Sequence, residues 1–262
     1  MVAVVGIPLD ENSSYLKGAA LAPQKIRAAF NSPSSNTCAE NGVDLGLSTQ
    51  WNDQGDLALP SGEAAIQEIE NRISAILQKH DKLFCLGGDH SVSYPVIKAV
   101  AKKYPDLTVL HLDAHSDLYD DFEGNRYSHA CPFARIMEEG LATRLVQVGV
   151  RTLTPHQREQ AKRFGVEIFE MKSWKESQPL YVDGSLYLSL DLDVLDPAFA
   201  PGVSHHEPGG LSTRQVLNIL QQVKGNVVGA DIVEFNPLRD LQDMTAMVSA
   251  KFFKELLARL ID

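Results

Sequence analysis

Short apolar runs recur along the chain, and stretches with helical periodicity lie between them. Residues 2–7, 82–86, 108–112, 145–150, 166–169, 186–190 and 226–233 are dominated by Val, Ile, Leu and Phe. Runs of this length with little alternation are those of strands buried on both faces. Residues 61–79 place Ile66, Ile69, Ile73, Ile76 and Leu77 on one stripe of a helix. Residues 23–30, 93–104, 129–139 (from about Pro132), 154–165, 212–223 and 244–260 also read as helices. They are punctuated by Pro23 in a first turn and by Pro105, Gly140 and Gly165 at ends. Strands alternating with helices predict an α/β fold, a three-layer α/β/α sandwich with a mostly parallel central sheet. Residues 43–59 are weakly patterned, with a short strand ending near 53–56. No repeat or linker interrupts the alternation, so residues 1–262 are expected to form a single domain.

Composition changes this picture little. A hydrophobic content of 44% and a charged content of 22% are ordinary for a globular chain. No apolar run reaches the roughly 18 residues of a membrane span. Cys38, Cys85 and Cys131 are odd in number and have no CxxC spacing, which disfavours a disulfide framework or a zinc knuckle. Residues 1–8 lack a basic leader and read as a first strand. These features set the expectation of a cytoplasmic protein. The net charge is −10 without a lysine or arginine block, so neither nucleic acid nor an anionic membrane is expected as a partner. That charge suits a small cationic substrate, although solubility alone accounts for it.

Candidate chemistry gathers where three of the apolar runs end. Residues 108–112 lead into Asp113, His115 and Asp117, spaced by two; on an extended segment such side chains project the same way. Residues 186–190 lead into Asp191 and Asp193, and residues 82–86 lead through Gly87 and Gly88 to His90. Open parallel sheets bind ligands outside the carboxyl ends of their strands. Carboxylates crowded there repel one another and lose hydration unless a cation neutralises them. Four carboxylates with two imidazoles offer hard oxygen donors with some imidazole, which suit manganese better than a structural zinc, and bridging carboxylates would let six side chains hold two ions.

The segments Gly87-Gly88-Asp89-His90-Ser91, Asp113-Ala114-His115-Ser116-Asp117 and Ser189-Leu190-Asp191-Leu192-Asp193 followed by Asp196-Pro197 resemble the signature segments of the ureohydrolases, the arginase and agmatinase superfamily. Residues 122–130, 196–210 and 229–237 look most like those of plant-type arginases. Plant members carry an N-terminal extension, whereas this chain begins almost at its first strand, which counts against import into an organelle.

The resemblance implies two Mn²⁺ ions per subunit, with Co²⁺ or Ni²⁺ as other divalent occupants. One would be held by His90, Asp113, Asp117 and Asp191 and the other by His115, Asp113, Asp191 and Asp193. A metal-bridging hydroxide would attack the guanidinium carbon of L-arginine and release urea and L-ornithine. His129, Asp117 and Glu234 are the implied catalytic groups. His129 relays a proton to the leaving amine, and Glu234 pairs with the guanidinium. Asn125 and Ser128 are expected to hold the amino-acid end, with Arg126 either attracting a carboxylate or facing solvent. Asp231 is expected to support His115, and Ser189 to steady Asp117. His205 and His206 are expected to line the pocket at most; His80, His111 and His156 read as surface or packing histidines. Agmatine or another guanidino compound is the alternative substrate. A metal-binding scaffold without activity and a dimetal phosphoesterase are the competing classes. Whether the chain is a monomer or a homo-oligomer stays open.

Overall fold

A computed structural model describes residues 1–175 and 180–262. Eight strands form one sheet: β1 (Val2–Gly6), β2 (Trp51–Asp56), β3 (Lys82–Leu86), β4 (Leu107–Leu112), β5 (Arg144–Val148), β6 (Glu167–Phe169), β7 (Tyr181–Asp191) and β8 (Lys224–Val233). The order across the sheet is β2-β1-β3-β8-β7-β4-β5-β6, and every pairing is parallel.

Successive strand residues point to opposite faces, and both faces are dry. Leu110 and Leu112 join one apolar cluster, Leu107 and Val109 the other. The first cluster takes in α1 (Ala22–Phe30), α6 (Thr213–Gln222) and α7 (Met244–Ile261). The second takes in α2 (Glu63–Leu77), α3 (Ser93–Ala101), α4 (Pro132–Glu138) and α5 (Pro155–Phe164). The predicted three layers are present. Helix starts follow local chemistry: Thr154 and Ser212 close capping boxes with Gln157 and Gln215, and Gly165 ends α5 in the left-handed conformation.

β7 begins at Tyr181 rather than 186, and Gly184 (φ 81°) lies within a register shift between Tyr181 and Ser185. The extended reading of 113–117 is corrected. β4 stops at Leu112, and Asp117 adopts a left-handed conformation (φ 49°). Its side chain therefore converges with that of Asp113 by a backbone reversal rather than by strand alternation.

The topology sets up the site. β3 and β4 are consecutive in the chain through α3, yet the last two strands, β8 and β7, lie between them in the sheet. The carboxyl ends of four adjacent central strands thus open onto one edge, where a parallel sheet offers its crevice. The turn after β3 admits no side chain at Gly88, where a Cβ would lie 1.8 Å from the Leu9 carbonyl oxygen of the loop after β1. That contact presses the β1 loop against the segment that presents His90.

Candidate active site

His90 follows β3, Asp113, His115 and Asp117 follow β4, Asp191 ends β7 with Asp193 in the turn after it, and Glu234 follows β8. The structure brings them together. His90 Nδ1 lies 3.2 Å from Asp113 Oδ2, 3.1 Å from Asp117 Oδ2 and 3.1 Å from Asp191 Oδ2. His115 Nδ1 lies 3.3 Å from Asp113 Oδ1 and 3.0 Å from Asp193 Oδ2. Asp113 therefore spans two clusters, turning one oxygen to each histidine.

The donor set fits divalent cations. His90 Nδ1 is buried and has no hydrogen-bond partner although three carboxylate oxygens surround it. Its other nitrogen explains why. Ser189 Oγ donates to Asp231 Oδ1 at 2.8 Å, so it accepts from His90 Nε2 at 3.1 Å. Nε2 therefore keeps its proton, and Nδ1 is the nitrogen turned to the carboxylates, where a proton or a metal ion can sit. Donors about 2.1 Å from one ion and at right angles to each other would be about 3.0 Å apart, close to the separations seen here.

Electrostatics agree with that assignment. Burial, with Asp193 and Asp113 nearby, holds the Asp191 carboxyl well above the usual carboxylate range. Burial and Asp113 push Asp193 up to about 6. Burial opposes charge on the His90 and His115 rings, but the surrounding carboxylates raise both well above the ordinary imidazole value. So much negative charge in a dry place calls for positive charge, from protons or from metal.

Beside this cluster, His129 Nδ1 lies 2.9 Å from Glu234 Oε1, and His129 Nε2 lies 2.8 Å from Ser14 Oγ. Burial would lower the His129 imidazole, but the Glu234 charge more than offsets this and raises it to about 9. Glu234 sits in a left-handed conformation (φ 63°), and its Oε1 also accepts the His90 backbone N–H at 2.9 Å. Its Oε2 is buried and has no partner. Left-handed backbone at a non-glycine residue costs on the order of 1 kcal/mol, and here it turns both Asp117 and Glu234 toward the cluster.

A cavity of about 210 Å³ opens above these groups. His115, Asp117, Asp191, Asp193, His129 and Glu234 line its floor. Ser14, Tyr119, Phe122, Thr152, Thr154, Gln157, His205 and Glu207 line its wall. Among the described residues that line it, none is a lysine or arginine. Arg151 instead donates to the carbonyls of Asp193 at 2.7 Å and Glu207 at 2.5 Å, which ties the two loops together. His205 joins His129 and Glu234 in a third group of close donor atoms.

Several sequence expectations need correction. Asn125 and Ser128 do not line the cavity: Asn125 Nδ2 donates to Asn12 Oδ1 at 3.1 Å, its Oδ1 accepts from the Tyr127 N–H, and Ser128 Oγ accepts from the Ala130 N–H. Both fold the loop that carries His129. Arg126 is half exposed and pairs with Asp120 and Glu138. Asp231 does not support His115; it accepts from Ser93, Tyr187 and Ser189 hydroxyls, each at 2.8 Å. Ser189 accordingly serves His90 rather than Asp117. His206 faces outward, its Nε2 2.8 Å from the Pro201 carbonyl. Ser14 was not anticipated, although its loop follows β1 at the same sheet edge. His111 is more than a packing group, since its Nε2 lies 2.8 Å from Asp113 Oδ2.

The model of the family described as "Arginase family" matches residues 1–258. The chain is 48% identical to a protein of Arabidopsis thaliana named "Arginase 1, mitochondrial", over 98% of this chain and 80% of that protein. It is 47% identical to "Arginase 2, chloroplastic/mitochondrial" of the same plant, with the same coverage. The solved arginase of Medicago truncatula superposes with a TM-score of 0.92 at 43% identity, covering 99% of this chain and 87% of that one. The relatives' names overturn the expected cytoplasmic location and point to an organelle. The physical ground for that expectation was weak, because three unpaired cysteines record a reducing compartment and not which one.

Proposed function

The chain belongs to the arginase family, and from that premise we propose that it hydrolyses L-arginine to urea and L-ornithine. The observation that carries this reading is the Glu234 Oε2 atom, buried and without a partner among the described residues, on the cavity floor beside the carboxylate–imidazole cluster. A carboxylate so placed, with no lysine or arginine beside it in the cavity, recognises a planar cation by charge-assisted hydrogen bonds. It would repel the phosphate ester that a dimetal phosphoesterase requires.

His90, Asp113, Asp117 and Asp191 would hold one divalent ion and Asp113, His115, Asp191 and Asp193 the other. Manganese is the metal that best matches these hard oxygens with some imidazole, and cobalt or nickel suits the same donors. When bound, the ions supply the charge that acidifies a water into a nucleophile near neutral pH. The protein's own groups do the rest. Glu234 draws the guanidinium to the floor and keeps its plane facing the cluster. The Glu234 charge favours the protonated form of His129, which holds at the cavity floor the proton that the departing amine takes. The backbone between Asp113 and Asp117 keeps the carboxylates oriented before substrate arrives.

The rest of the substrate extends along the outer wall, where Ser14, Thr152, Thr154 and Gln157 offer neutral hydrogen-bonding groups to an amino-acid end. Urea release from arginine, agmatine and guanidinobutyrate after manganese loading tests the reading. Arginine is expected to give the highest kcat/KM. A higher value for agmatine would replace the substrate while keeping the hydrolase, and no urea from any of them would reject both.

A further inference from the structure

We infer that His111 is a positioning residue for the metal pair, donating from Nε2–H to fix the carboxylate of Asp113 that the two clusters share. The inference rests on the proposed metal-ligand role of Asp113. His111 lies on β4 two residues before Asp113, fully buried, with Nε2 2.8 Å from Asp113 Oδ2. Its ring stacks on Phe133 at 3.8 Å between centroids and 25° between planes, so it has little freedom to turn.

Which ring nitrogen carries the proton follows from the neighbours. Gln147 Nε2, on the adjoining strand β5, lies 2.7 Å from the Ser116 carbonyl oxygen and 3.0 Å from His111 Nδ1. A carbonyl oxygen only accepts, so the amide nitrogen of Gln147 must be the group on that side. Its second N–H then points at His111 Nδ1, which must accept. The proton of the neutral ring is left on Nε2, facing Asp113. The Ser116 carbonyl, inside the segment that carries Asp113, His115 and Asp117, thus sets the His111 tautomer through the Gln147 amide.

The consequence lies at Asp113. Its Oδ1 accepts the His115 backbone N–H at 2.6 Å, and its Oδ2 receives the His111 N–H. With one donor on each oxygen the carboxylate cannot rotate, and each oxygen keeps a lone pair for its own cluster. His90 is held in a parallel way by Ser189 and Asp231. The two devices orient opposite sides of the same ion site.

Manganese titration into metal-free protein tests this with two variants. His111→Phe keeps a flat ring against Phe133 but removes the donor, and His111→Gln keeps an N–H that reaches the former Nε2 position. Loss of a group that orients a metal ligand weakens affinity by about 10–100-fold. His111→Phe is expected to show that loss at both ions, with most of it recovered in His111→Gln whatever the melting temperatures of the metal-free proteins. Unchanged affinity in His111→Phe, or equal weakening in both variants, would overturn the inference. Nitrogen-15 shifts of the wild-type imidazole in metal-free protein give a readout free of folding effects. A protonated Nε2 supports the relay, and a protonated Nδ1 contradicts it. If wild-type protein takes up no ions at all, the metal reading itself fails, an outcome distinct from the others.

Discussion

The floor of the cavity and its outer wall differ in how their polar groups are held. On the floor, donors from four adjacent strand ends crowd onto two points, and hydrogen bonds from behind fix several of them in place. His90 is backed by Ser189 and Asp231, Asp113 by His111, and Asp193 by the Ala114 N–H at 3.1 Å. On the wall, the groups come from loops and helix starts and are neutral or single. Thr154 and Gln157 are already engaged with each other as a helix cap. The floor is built to perform one reaction, and the wall is where a change of substrate costs the fold least.

The contrast can be broken most severely at Asp113. Asp113→Ala is expected to remove both ions together and to lower kcat by about 10³-fold or more, the scale of several kcal/mol of metal charge stabilisation. Metal analysis alongside turnover checks it, and full metal content with full activity would remove the shared-ligand role. Glu234→Gln is the next largest. Replacing a charged partner of a buried cation by a neutral amide should cut kcat/KM for arginine by about 10²-fold. Bound metal should be retained, because this side chain faces the substrate.

How far the floor was legible in the sequence follows from the same contrast. Ligands at strand ends announce themselves, because an apolar run closing on Asp or His is a local pattern; all six proposed metal ligands were found that way. The route by which they converge was not, since the left-handed backbone at Asp117 has no local signal. What stands behind the ligands was also hidden. His111, Ser189 and Asp231 all lie within strands, and only the pairing of β3, β8, β7, β4 and β5 shows which polar group meets which. On the wall, Asn125 and Ser128 look like substrate donors in sequence, but a polar loop spends its donors on its own turns first.

Smaller effects sharpen the boundary between the regions. Gly88→Ala adds a methyl group against the Leu9 carbonyl and should cost about 1–3 kcal/mol or more in thermal or denaturant unfolding. It would also loosen the loop that carries Ser14. Gln157→Ala opens the cap of α5 and should cost about 1 kcal/mol. It should raise KM for arginine several-fold while kcat stays near the parent value, and a fall in kcat alone would place Gln157 with the floor. Arg126→Ala is the mildest. Its exposed ion pairs should be worth less than about 1 kcal/mol, and an unchanged KM for arginine would confirm that it does not clamp the substrate carboxylate.

In the proposed site two divalent ions sit on this one set of strand ends and share Asp113. Anomalous scattering from crystals grown with manganese tests it most directly. Two peaks per chain are expected, one among His90, Asp113, Asp117 and Asp191 and one among Asp113, His115, Asp191 and Asp193. A single peak, or manganese seated instead on His129, His205 and Glu234, would contradict it.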